Sequence, residues 1–188
     1  TPLVMKNLSY DPIKALRVIA VVGEIPTVAV TNLQTPATDL RSFAAYAKAN
    51  DGKLNYASLG QGNVLYLTAK KIEGDLGVRM TEVPYKGSAP SLTALMANDV
   101  QFYVDVLPGA LPFIQSGKLK ALAVPSDKRL PWLPDVPTLQ ESGYGAFHAA
   151  SWLGWAVPAA TPPEVVARLQ EAIVRFAQDE KFRATFTK

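Results

Sequence analysis

From Val18 to Phe176 the chain alternates short apolar runs with stretches whose apolar residues recur at helical spacing, and glycine or asparagine closes most of those stretches. A strand covered on both faces reads as a continuous apolar run, whereas the helix that covers it shows one apolar stripe. Repetition of that pair is how βα units read, so the chain is expected to form an α/β fold on a mainly parallel sheet.

The individual elements follow from the same logic. Val18–Val22 and Thr27–Val30 are the first strand-like runs. Thr38 is placed to cap a helix that carries Leu40, Phe43, Ala44 and Ala47 on one face and ends at Asn50–Gly52. Leu54–Ser58 predicts a strand, and a helix from Asn63 to Glu73 would then be closed by Gly74. Met80–Pro84, Val100–Asp105 and Leu119–Val124 predict further strands. Ser88 is a candidate cap for a helix with Pro90 in its first turn and Asn98 at its stop, and Pro108–Ser116 reads as a shorter helix stopped by Gly117. Between Pro125 and Pro137 the chain turns proline-rich and polar, an irregular connection near which it is expected to pass from one domain to another. Ser151–Val157 restores an apolar run. Thr161-Pro162-Pro163-Glu164 then has capping-box spacing for a last helix through Val165, Val166, Leu169, Ala172, Ile173 and Phe176.

Composition removes several function classes. With 188 residues, 48% hydrophobic and 19% charged, the chain can bury one large core or two small ones and is not a disordered polymer. Its net charge of +3 comes from singly scattered lysines and arginines, so no nucleic-acid partner is expected. The absence of cysteine excludes disulfides, thiolate metal sites and cysteine nucleophiles. No apolar run reaches the ~18 residues of a membrane span. Thr1–Tyr10 lacks the basic start and apolar stretch of a signal peptide, which fits a mature, truncated or cytoplasmic chain. His148 is the only histidine and reads as a loop or hinge residue, so a Ser-His-Asp triad or a two-histidine metal site has little to draw on. The acidic residues show no metal-binding spacing, and no cofactor is implied.

The informative segments are two glycine-bearing turns between a strand and a helix. Ser58-Leu59-Gly60-Gln61-Gly62-Asn63 has the wrong order for a nucleophile elbow and too few glycines for a dinucleotide fingerprint. Its backbone N–H groups, at a helix start, suit a carboxylate or another anion. Tyr85-Lys86-Gly87-Ser88 repeats the arrangement at the next junction. Both turns lie beyond strand carboxyl ends, where open α/β sheets bind ligands, although both also read as tight connections that need glycine. Asp105, at the end of a third such strand, either accepts a hydrogen bond from a ligand or caps the following helix.

At these residues the chain resembles the substrate-binding receptors of tripartite tricarboxylate transporters, the Bug proteins. The resemblance is carried by Tyr10-Asp11-Pro12, Ala44-Ala45-Tyr46-Ala47-Lys48-Ala49-Asn50, Gly52-Lys53-Leu54-Asn55-Tyr56 and Val83-Pro84-Tyr85-Lys86-Gly87-Ser88-Ala89-Pro90. Asp105, Leu107-Pro108, Ala110-Leu111-Pro112, Gly117-Lys118-Leu119 and Leu133-Pro134-Asp135-Val136-Pro137-Thr138 extend it over nearly the whole chain.

The resemblance implies a type II periplasmic-binding-protein-like fold, two α/β lobes with a ligand cleft between them that closes about a hinge. Residues 28–148 would form the second lobe, with 1–27 and 149–188 contributing the hinge crossovers and part of a first lobe that is incomplete in this chain. Relatives carry further upstream residues with a signal peptide and an anion-binding loop. The implied function is a periplasmic receptor, without catalysis, that captures a small organic dicarboxylate or aromatic acid for the membrane components of a tripartite transporter and acts as a monomer. A ligand-sensing regulatory domain of similar form, and less readily a hydrolase, are the alternatives. The implied ligand contacts are Ser58, Gly60, Gln61, Gly62, Asn63, Tyr66, Tyr85, Lys86, Gly87, Ser88 and Asp105. Where the family commonly has small hydroxyl residues and a histidine after the first turn, this chain has Asn63-Val64-Leu65-Tyr66. A larger or more apolar acid is thereby expected, with Tyr66 either hydrogen-bonding in place of the histidine or packing.

Overall fold

The protein is described by a computed structural model covering residues 9–180. Most of the Thr1–Tyr10 segment and the ends of the 1–27 and 149–188 segments lie outside the described residues. The chain divides into two compact units, one comprising Ile25–Ser151 and the other Thr1–Glu24 with Trp152–Lys188.

In the Ile25–Ser151 unit, β1 (Leu16–Asn32, whose first half belongs to the other unit) is followed by α2 (Leu40–Ala49), β2 (Leu54–Ser58) and α3 (Val64–Leu76). The chain continues through β3 (Met80–Pro84), α4 (Ser88–Ala97), β4 (Tyr103–Val106), α5 (Leu107–Gln115) and β5 (Leu119–Ala123). The strands β2 and β3 pair in parallel from Leu54↔Met80 to Ser58↔Pro84. A parallel bridge between Tyr56 and Phe102, with Ala57 N–H donating to the Phe102 carbonyl at 2.9 Å, joins β2 to the segment entering β4. β1 lies between β4 and β5 and is antiparallel to both. The expected mainly parallel sheet is therefore mixed, because β1 comes from outside the βα succession and needs no crossover helix.

Alternate residues of β1 enter opposite cores. Ala29 packs with Leu40, Phe43, Ile72, Phe102 and Leu122 on the face covered by α2 and α3. Val28 and Val30 pack with Leu92, Leu95, Tyr103, Leu107 and Ala110 on the face covered by α4 and α5. The period of two along the strand and of about 3.6 along the helices thus yields an α/β/α sandwich. The proline-rich segment after Pro125 stays in this unit: Val124 bridges Thr138, and Leu133 and Leu139 are buried. The passage expected there occurs instead at Ser151–Trp152.

Several boundaries shift for identifiable reasons. Val18–Val22 and Thr27–Val30 belong to one strand, whose pairing with β4 begins at Thr27, just past Pro26, so the missing proline donor falls outside that ladder. Asp39, not Thr38, caps α2: its carboxylate accepts Ser42 N–H at 2.8 Å while the Ser42 hydroxyl accepts Asp39 N–H at 3.1 Å. Asp39→Ala is expected to cost about 1 kcal/mol, measurable as a lower urea midpoint with an unchanged slope. The helix α3 runs through Gly74 to Leu76 and closes at Gly77 in the left-handed region, because Leu76 and Val78 still belong to the buried face. The reach of β4 is shorter than Val100–Asp105 at its start, and Ser88 is the first residue of α4, not its cap.

The other unit contains α1 (Pro12–Ala15), the start of β1, the end of β6 (Ala150–Pro158) and α6 (Pro163–Gln178). β6 pairs with β1, and Gln170 donates to the Ile19 carbonyl at 2.8 Å. Pro162 occupies the N-cap of α6 and no side chain caps it, so the expected Thr161–Glu164 box is one residue out of register with the helix start. Among the described residues no helix is long and apolar enough to cross a membrane.

Candidate functional site

Because β2, β3 and the Phe102–Val106 segment run in parallel, their carboxyl ends share one edge of the sheet, and each leads directly into a helix. Three turns therefore meet: Leu59–Asn63 before α3, Tyr85–Gly87 before α4 and Val106 before α5. Tyr85 N–H donates to the Ser58 carbonyl at 2.8 Å, which fastens the first turn to the second. The Ser88 hydroxyl donates to Asp105 Oδ2, which fastens the second to the third.

In the first turn the Ser58 side chain is buried and accepts Gly60 N–H at 2.9 Å, so its hydroxyl shapes the loop. Gln61 is exposed. Gly60 and Gly62 both have positive φ, and Asn63 caps α3 by accepting Leu65 N–H at 2.9 Å. Tyr66 is half-buried and packs, with Leu59 and Val64, against the core under α2 and α3.

The second turn differs in that no side chain caps α4. Gly87 occupies the N-cap at φ 116°, a conformation that only glycine adopts without strain. The Ser91 hydroxyl donates to the Gly87 carbonyl at 2.9 Å, holding the turn from inside. The N–H groups of the first turn of α4 have no intrahelical partner, and with the helix dipole they present a partial positive charge. Lys86 is exposed beside them, and Tyr85 is half-buried against the core under α4 and α5. α5 likewise begins without a side-chain cap.

Asp105 does not cap α5 as the sequence allowed. It is fully buried, and its carboxylate accepts Val106 N–H at 2.8 Å and the Tyr103 hydroxyl at 3.3 Å in addition to Ser88. Burial pushes its carboxyl above the usual range, outweighing the opposite pull of those three donors. Tyr103 and Gly109 were not singled out by sequence. Gly109 faces this cluster so closely that a Cβ there would stand 2.7 Å from Asp105 Oδ2 and 2.8 Å from Ser88 Oγ. Only the Leu107-Pro108-Gly109 order, with a glycine inside a helix, hinted at a close approach. His148 lies away from these turns in sequence and is exposed, with Nδ1 3.6 Å from Asp127 Oδ2.

Solved structures similar to the chain include the following three. Rpa4515 of R. palustris with adipate is 30% identical, with a TM-score of 0.89 over 97% of this chain and 61% of that one. MatC (Rpa3494) from Rhodopseudomonas palustris with bound malate is 34% identical, with a TM-score of 0.86 over 96% and 62%. The periplasmic binding protein BugD is 34% identical, with a TM-score of 0.88 over 97% and 61%. The fold is accordingly that of the periplasmic binding proteins, and the chain spans about half the length of the curated relatives it matches. The family described as "Tripartite tricarboxylate transporter family receptor" matches residues 1–188, and the chain belongs to that family.

Proposed function

We propose that the chain is part of a periplasmic receptor that holds a small organic acid at the sheet edge formed by the three turns and delivers it to a tripartite transporter. The observation that carries this reading is the open N-terminus of α4, braced by Ser58, Ser91 and Asp105 and left without a side-chain cap. Two similar proteins hold dicarboxylates, adipate and malate. Donors held in place by other hydrogen bonds receive a carboxylate without the reordering that a flexible loop would require. Residues 28–148 act as one lobe of a two-lobed receptor, and Gly60–Asn63 with Lys86–Ser88 supply this lobe's contacts. Leu59, Val64 and Tyr66 are partly buried hydrophobic residues beside the first turn, a lining that suits an acid with a hydrocarbon body. Nothing in this reading makes or breaks a covalent bond.

A thermal-shift series of the whole protein with adipate, malate and an aromatic monocarboxylate tests it. Ligand at a hundredfold excess over its dissociation constant stabilises the folded state by ~2.7 kcal/mol, a rise of several degrees in Tm. Gly87→Val is expected to abolish that rise, since valine cannot hold the turn at φ 116° without strain. No rise with any of the three acids would overturn the reading.

A further inference from the structure

Asp105 is the most deeply buried carboxylate among the described residues, with Glu73 next, yet the two are handled differently. Lys70 faces Glu73, whereas the groups against Asp105 are neutral. α4 offers the Ser88 hydroxyl; β4 offers the Tyr103 hydroxyl and Val106 N–H; α5 offers Gly109; β1 sets Val28 opposite Asp105 in the ladder. Among the described residues hydrogen-bonded to Asp105, Tyr103 is the titratable one, and burial raises its phenol, so it stays protonated wherever Asp105 titrates.

An ionised carboxylate only accepts hydrogen bonds, so Ser88 must then donate inward. Once Oδ2 carries a proton, Asp105 donates to Ser88 Oγ, and the Ser88 hydrogen is free for a second acceptor. Ser88 is half-exposed at the first position of α4, on the turn that the receptor reading assigns to the ligand. We propose that Asp105 is a positioning residue that sets the donor direction of Ser88: ionised, it holds the hydroxyl inward, and protonated, it releases that hydroxyl to a carboxylate seated at the start of α4. Binding of an organic acid then takes up one proton from water, and the incoming negative charge is offset inside the cluster. The close approach of Gly109 supports this, because the α5 backbone lies against both Asp105 Oδ2 and Ser88 Oγ and covers the pair on that side. The inference rests on the receptor reading.

Adipate and malate binding would be measured by calorimetry from about pH 5 to about pH 8 in buffers of differing ionisation heat, for the protein, Asp105→Asn and Ser88→Ala. In parallel, the Asp105 carboxyl carbon and the Ser88 Cβ would be followed by NMR without ligand. The protein is expected to lose affinity by up to about tenfold per pH unit above the Asp105 midpoint, with proton uptake on binding. Asp105→Asn, whose amide always donates to Ser88 Oγ, is expected to bind without that slope and at least as tightly at the upper end. Ser88→Ala is expected to lose the slope and to bind weakly throughout. The Ser88 signal should share the Asp105 midpoint and lose it in Asp105→Asn. A slope that survives in Asp105→Asn, or a Ser88 signal that ignores the Asp105 titration, would overturn the positioning role and leave the receptor reading intact. Failure of both acids to bind at every pH would overturn the two together.

Discussion

Phe102→Ala is expected to cost the Ile25–Ser151 unit about 3–5 kcal/mol, a large share of the stability of a typical domain. Phe102 is fully buried, and its ring centroid stands 5.2 Å from that of Phe43 with the planes 30° apart. Its backbone also bridges β2 to β4, but alanine keeps that bridge, so the loss comes from removed apolar contact and the cavity left beneath α2. Urea unfolding of the variant should show a lower midpoint without a change of slope. A loss below about 1 kcal/mol would mean that α2 settles into the space and that this core is more plastic than its packing indicates.

The second large effect is at Gly109, where two rules oppose each other. Alanine is the better helix former by about 1 kcal/mol, which favours Gly109→Ala. Its Cβ, however, would stand 2.7 Å from Asp105 Oδ2 and 2.8 Å from Ser88 Oγ, which is overpacking of the kind that costs about 1–3 kcal/mol. Overpacking is expected to prevail, because Asp105 is enclosed and held by Ser88, Tyr103 and Val106, and so has nowhere to move. Thermal unfolding should show a lower Tm, and, on the receptor reading proposed above, organic-acid binding should weaken as Ser88 is displaced. In an Asp105→Ala background the nearer obstacle is gone and the Ser88 hydroxyl, no longer held by Oδ2, can turn into the space left, so Gly109→Ala should cost less there than in the native protein. Equal costs in the two backgrounds would place the strain elsewhere.

Strands flanked by clear turn residues were legible to the residue: Leu54–Ser58 and Met80–Pro84 stand where the apolar runs predict them. Helix faces were legible too, since Leu40, Phe43, Ala44 and Ala47 all enter the core. What periodicity does not encode is the choice among several plausible stops. Gly74 and Gly77 are equally good punctuation, and burial of Leu76 and Val78 decides for the second. Nor does it encode direction. β1 reads like a parallel strand because it is buried on both faces along its second half, but its partners run against it. At the candidate site the turns, Gly87 and the family resemblance were visible in sequence. The inward hydrogen bond from Ser88 to Asp105 spans 17 residues and joins a helix start to a strand end, so no local spacing announces it. Asp105 carried two open readings, ligand contact or helix cap, and α5 begins without a side-chain cap, while the hydrogen bonds that hold the Asp105 carboxylate come from residues its local sequence does not point to.

The Ile25–Ser151 unit is closed at its neck: the buried Thr27 hydroxyl donates to the Ala149 carbonyl at 2.7 Å, and Ala149 N–H donates to the Pro125 carbonyl at 2.8 Å. During synthesis, the first half of β1 leaves the ribosome long before its partner β6 exists. The nested segment, by contrast, has every strand and helix of its sandwich once Ala149 has emerged. Domains fold as units as they emerge, and distant pairings form late because loop closure must come first. The nesting therefore predicts an order of assembly. The inner segment is expected to mature first and, by joining its own two ends, to bring Leu16–Glu24 within reach of Trp152–Pro158 as an internal template for the pairing that follows it.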